Sequence, residues 1–161
     1  MRITKVATTA LLLCVFADVF AAEATSESNL SFGEYLVQTY MAMPRSYHDV
    51  CVAANPSQRQ QYDQDLSDVQ ARIKQVTAPL LKKYLSSDFL NALVGQDMVD
   101  QVRAAFVSQR QLAQQRFGDG KECPIVMANM RNLDAESIRA GFEPIVSYAA
   151  QALLQQQTKS K

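Results

Sequence analysis

The chain predicts an all-α fold: a compact, single-domain bundle of about five to seven uneven helices closed by one disulfide. Three observations carry this reading. Apolar residues recur in steps of three and four along most of the chain; no Asn-Gly or Asp-Gly pair has the alternating flanks of a hairpin; and two cysteines remain once an amino-terminal export segment is set aside.

The elements follow in order. Ser31 and Glu34 form a capping box, with Leu30 and Tyr35 placed as a hydrophobic staple. Phe32, Leu36, Tyr40 and Met43 then keep helical spacing until Pro44 ends the run. A short second helix, Ser46 to Ala53, carries Tyr47, Val50 and Cys51. Asn55 and Gln58 make a further capping box around Pro56, which suits the first position of a third helix. That helix is the longest, with Tyr62, Leu66, Val69, Ile73, Val76 and Leu80 forming a seam close to a heptad, and Pro79 is expected to kink or break it because proline crowds the carbonyl of Gln75. Phe89, Leu90 and Leu93 lie in a short helix that Gly95 ends. Asp97 starts a long one with Val99, Val102, Phe106, Ala113 and Phe117 on one side, stopped by Gly118 and Gly120. Pro124 opens a helix over Cys123 to Leu133. Asp134 caps a short helix ending at Gly141, and Pro144 opens the last, whose inward residues are Ile145, Tyr148, Ala149, Ala152 and Leu153.

The amino terminus carries a different kind of information. Arg2 and Lys5 precede an apolar run from Val6 to Phe16 and a small-residue stretch, the pattern of a secretory signal peptide over residues 1–21, with cleavage after Ala21 or Ala24. The run is shorter than the roughly 20 apolar residues a membrane span needs, so no integral span is expected. Leu11 to Leu13 before Cys14 suggest a lipoprotein, but attachment needs a small residue where Leu13 stands. Residues 22–30 read as a flexible leader, 31–156 as the helical domain and 157–161 as a frayed tail. The expected destination is outside the cytoplasm: the periplasm in a Gram-negative host, the extracellular space otherwise.

Removing the first 21 residues takes away Cys14 and leaves Cys51 and Cys123 as the natural pair in an oxidising compartment. It also leaves one more acidic than basic residue, so nothing draws the protein to nucleic acid or to an anionic surface.

No cofactor, metal or catalytic signature emerges. His48 is the sole histidine. With Cys51 three residues on it resembles a nucleophile and its base, yet an exported cysteine with one partner oxidises and loses nucleophilicity. Asp63, Asp65 and Asp68 lack the glycine and closing glutamate of a calcium loop and read as a solvated helix face.

What remains is surface. Two polar helical stretches, Gln58 to Gln64 and Gln109 to Arg116, set arginine and tyrosine among glutamines, and Arg59, Tyr62, Arg110, Gln114 and Arg116 are the expected contact residues. The expected function is therefore a small exported binding protein, not an enzyme, acting on another protein as an inhibitor or immunity protein would. A carrier of a small hydrophobic ligand in a cavity between helices, with the methionines as lining, is the alternative; a periplasmic chaperone is a third.

Overall fold

In the computed structural model the described residues are 30–159, with side chains through Gln155. The expected signal peptide, both cleavage points, most of the leader and residues 160–161 lie outside them. Six α-helices and one 3₁₀ turn are present among the described residues: α1 (Phe32–Ala54), the turn Pro56–Gln58, α2 (Arg59–Tyr84), α3 (Ser87–Asn91), α4 (Gln96–Phe117), α5 (Cys123–Arg131) and α6 (Ala135–Lys159).

Helix α1 begins at the capping box expected for it. Ser31 Oγ accepts from the Glu34 backbone N–H, and the Glu34 carboxylate accepts from the Ser31 backbone N–H at 2.9 Å. These bonds to Ser31 hold the Glu34 carboxyl below its ordinary pKa. The helix then runs straight past the point where it was expected to stop. Pro44 is buried within it, so the two short helices of the sequence reading are one of 23 residues. Proline removes a single backbone bond, to the carbonyl of Tyr40, and the apolar face on either side stays in register for burial. Leu36 and Met41 before it, and Val50 and Val52 after it, are all core residues.

The same correction applies twice more. Helix α2 passes through Pro79 without a break, and α6 passes through both Gly141 and Pro144. Pro79 and Pro144 are exposed, so water can solvate the carbonyls they free. Near Pro79 the buried Thr77 hydroxyl donates to the Ile73 carbonyl at 2.8 Å. Gly141 is no terminator. A Cβ at that position would stand 2.8 Å from the Tyr40 hydroxyl, so glycine admits the α1 tyrosine, whose ring meets Phe142 edge-on at 5.5 Å. Because α6 is continuous, its inward stripe is Ile138, Phe142 and Val146, all fully buried, whereas Tyr148 points outward.

Smaller corrections concern caps. Asn55 does not cap α2; its Nδ2 donates instead to the carbonyl of Gly120 at 3.0 Å, and Gln58 leads out of the 3₁₀ turn into the helix. Gly120 has φ +76°, a conformation that favours glycine, in the turn before α5. Gly95 caps the start of α4 and does not close the helix before it.

Helix α1 is central. Helix α4 packs on one side of it, over its length, and α2 on the other; α6 packs mainly on α2, while α5 sits across α1 and α2 at one end. The approach of α1 to α4 is close enough for the buried Ser46 hydroxyl, which donates to its own helix at Ala42, to lie 3.4 Å from the Phe106 carbonyl. The core divides into two clusters. One, around Val50, Val69, Ile73, Phe117 and Met127, encloses the cysteines; the other, around Leu36, Leu80, Leu81, Phe142 and Val146, fills the end nearer α3. Cys51 and Cys123 are fully buried and stand at disulfide distance, with Cα atoms 5.4 Å apart.

Candidate functional site

The end of the bundle that holds the cysteines also holds a cleft of about 470 Å³, a volume within the range of small-molecule sites. Its walls come from three directions. Asn55 and Ser57 lie at the α1 exit, Gln58 at the entry to α2 and Gln61, Tyr62 and Asp65 on one face of it, and Pro124, Met127 and Arg131 line one face of α5. The α2 residues share a face because they fall three and four apart, and the α5 residues for the same reason. Two devices hold α5 against the rest. The Cys51–Cys123 pair fixes its first residue to α1, and Arg72 Nη1 donates to the Arg131 and Leu133 carbonyls at 2.9 and 2.6 Å, satisfying acceptors that a helix end leaves bare.

Two features of this cleft depart from ordinary core chemistry. Asp65 is 1% exposed, yet among the described residues its carboxylate receives one hydrogen bond, from Gln61 Nε2 at 2.9 Å. Arg131 Nε lies 3.6 Å away, inside ion-pair range but beyond a hydrogen bond. Both contacts fall on Oδ1. One turn earlier, Tyr62 is 3% exposed and its hydroxyl has no hydrogen-bond partner among the described residues. Burial, reinforced by the Asp65 charge, raises the Tyr62 pKa above its ordinary value, so at neutral pH the group is a protonated donor without an acceptor. An unmet buried polar group costs about 1–3 kcal/mol.

Tyr62, expected both in the apolar seam of its helix and among the contact residues, is buried in the core, where its ring packs with the seam. Asp65 was expected on a solvated acidic face with Asp63 and Asp68; those two are exposed, but Asp65 is turned inward. The signal for this lay in its register. Asp65 stands three residues after Tyr62 and four before Val69, inside the stripe that the apolar seam defines.

A second cluster lies where α1 meets α2. His48, with 14% of its side chain exposed, sits between two carboxylates, Nε2 being 2.7 Å from Asp63 and Nδ1 3.2 Å from Asp49. Its pKa is raised, chiefly by the Asp49 hydrogen bond and further by Asp63, against an opposing effect of burial. The Asp63 contact is the shorter of the two, but Asp49 is the more sheltered carboxylate, and water screens it less. His48 therefore joins α1 to α2. Cys51 faces Cys123, so the pairing of thiol and imidazole considered from sequence is not formed.

The remaining predicted contact residues are spread out. Arg59 is exposed at the start of α2, outside the cleft lining. Arg110 is half-buried on α4; Gln114 is exposed; and Arg116, 71% exposed, lies over the Phe117 ring at 5.1 Å and 3.8 Å from Glu122. Helices α2 and α4 both pack on α1 and share no substantial interface with each other. No described helix is long and apolar enough to cross a membrane. No family model, no curated protein and no solved structure matches the chain.

Proposed function

We propose that the chain is a small exported helical binding protein that acts by contact with another protein, in the manner of an inhibitor or immunity protein. Export is supported by the amino-terminal pattern and by a cysteine pair held at disulfide distance inside the core. The observation that carries the contact reading is the outer side of α4. This helix leans on α1, and the side turned away from it bears Ala104, Ser108, Gln111 and Gln115, all exposed and none charged, at steps of three and four. Charge belongs to its margins, with Asp100 and Arg103 paired at 3.0 Å and Arg116 at the far end. Exposed Val107 and Leu112 flank the stripe on opposite sides. Depletion of charge at the centre of a patch is one mark of a protein interface, and it is this mark that supports the contact reading.

The test is affinity capture from an envelope fraction with the processed wild-type chain and with Ser108→Arg, which puts a cation at the centre of the stripe. The expected result is one stoichiometric protein partner retained by wild type and lost by the variant, at an unchanged melting temperature. If both chains retain the same proteins, or neither retains any, α4 is not a contact surface. The cleft favours a second kind of binding, because its lining of amides, a carboxylate and a guanidinium suits a polar ligand better than a lipid.

A further inference from the structure

The cleft and the α4 stripe are separate features, and the cleft specifies its occupant more narrowly. Its demands can be read group by group. The Asp65 carboxylate is buried, and among the described residues it has one amide hydrogen bond and only a loose ion pair, so it favours a strong donor, best a cation. The Tyr62 hydroxyl is buried with its proton unshared, so it calls for an acceptor. Arg131 supplies a guanidinium at the rim, and its loose contact with Asp65 leaves donors for an anion. The rest of the lining is uncharged, with Asn55, Ser57 and Gln58 above a floor formed by Pro124 and Met127. A lone cation would leave Tyr62 and Arg131 unmet. A lone anion would meet the Asp65 charge. A neutral polyol would satisfy the hydrogen bonds but bring no charge to either Asp65 or Arg131.

We infer that the cleft binds a small zwitterion bearing an ammonium and a carboxylate on one carbon, the chemistry of a free α-amino acid, with the ammonium on Asp65 and the carboxylate between Tyr62 and Arg131. The volume accommodates such a molecule with room for its side chain toward the open mouth. The Tyr62 hydroxyl has no solvent-accessible surface of its own, so entry displaces a rim group. Gln61 and Arg131 are the movable ones: both are exposed at the helix surface and both reach over Asp65 Oδ1, the position the ammonium takes. Binding thus exchanges an amide bond and a loose ion pair for a close one, and gives the tyrosine its acceptor.

Isothermal titration of the processed chain with each common L-amino acid tests this. At least one binds with one-to-one stoichiometry. Its N-acetyl derivative, which lacks the cation, and its amide, which lacks the anion, each bind about tenfold or more weakly, the cost of losing one hydrogen bond to a charged group. Tyr62→Phe and Arg131→Ala, neither of which removes a core contact, weaken binding by a similar factor, and Asp65→Asn abolishes it where that variant folds. Ser108→Arg on α4 leaves the affinity unchanged, which separates this site from the protein-contact surface. The inference is overturned if no amino acid binds at millimolar concentration, if the blocked derivatives bind as well as the parent, or if Tyr62→Phe and Arg131→Ala both retain wild-type affinity.

Discussion

Replacing Cys51 and Cys123 by alanine tests the feature on which the cleft depends. The two residues are 72 apart in sequence, so a bridge between them removes a long loop's freedom from the unfolded chain, an effect of about 4.4 kcal/mol in the chain-entropy model. Both side chains are fully buried, and losing each sulfur forfeits roughly another 1 kcal/mol of packing. The expected loss is therefore about 6 kcal/mol, a large part of the roughly 5–15 kcal/mol typical of a domain. Urea titration followed by circular dichroism at the helical band is the assay. With a slope of about 2 kcal/mol per molar, the midpoint should fall by roughly 3 M. Cys123→Ala alone should cost nearly as much as the pair, since one bridge is lost in either case, and reductant should lower wild type without affecting the double variant. An unchanged midpoint in the variant would refute the reasoning, as would two free thiols on titration of the processed chain, denatured without reduction.

Three further outcomes follow from named contacts. His48 has a folded pKa above its unfolded value, so its ion pairs with Asp49 and Asp63 contribute fully below about pH 6.5 and are lost as pH rises through the folded pKa; the stability gap between wild type and His48→Ala should be wide at pH 5.5 and shrink by pH 9, and a gap that widens instead would show the histidine is not held between carboxylates. Tyr62→Phe removes an unpartnered buried hydroxyl and should leave the urea midpoint unchanged or raise it, by up to about 1 kcal/mol; a clear drop would mean that the hydroxyl has a partner. Gly141→Ala should destabilise, because its Cβ meets the Tyr40 hydroxyl at 2.8 Å, whereas in a Tyr40→Phe background it should stabilise by about 1 kcal/mol through helix propensity; a melting temperature that falls equally in both backgrounds would remove the hydroxyl as the cause.

Much of the helical order was legible because it rests on local chemistry. The Ser31 and Glu34 box, the seam from Tyr62 to Leu80 and the buried face of α4 all depend on residues three or four apart, and each formed as that spacing requires. Punctuation was misread where the cost of breaking a rule is local but the compensation is distant. Pro44, Pro79 and Pro144 each forfeit one backbone bond, and continuous apolar faces against neighbouring helices outweigh it. Gly141 shows the same thing from the other side, since its meaning is a tyrosine on α1 about a hundred residues earlier, which no window on α6 contains. Loop chemistry failed for a related reason: Asn55 has a better partner in Gly120 than in the helix it precedes.

The cleft was illegible by another route. Its polar members come from three elements, so Asn55, Asp65 and Arg131 have no common motif, and the acidic triplet around Asp65 drew attention to composition rather than register. Yet the departures from local rules in this chain are of two kinds. Those at the prolines have their explanation in packing and leave the free energy balanced. Those at Asp65 and Tyr62 do not: a carboxylate and a phenol are taken out of water, one turn apart, and neither finds full compensation from the protein around it. Such unrepaid costs are expected where a structure serves something other than its own stability. Another buried unpartnered atom, Gln38 Oε1, lies on α1 outside the cleft lining, but the two at Asp65 and Tyr62 meet in one cleft, on helices pinned by the buried cysteine pair and by Arg72, where a ligand has charge and hydrogen bonds to contribute.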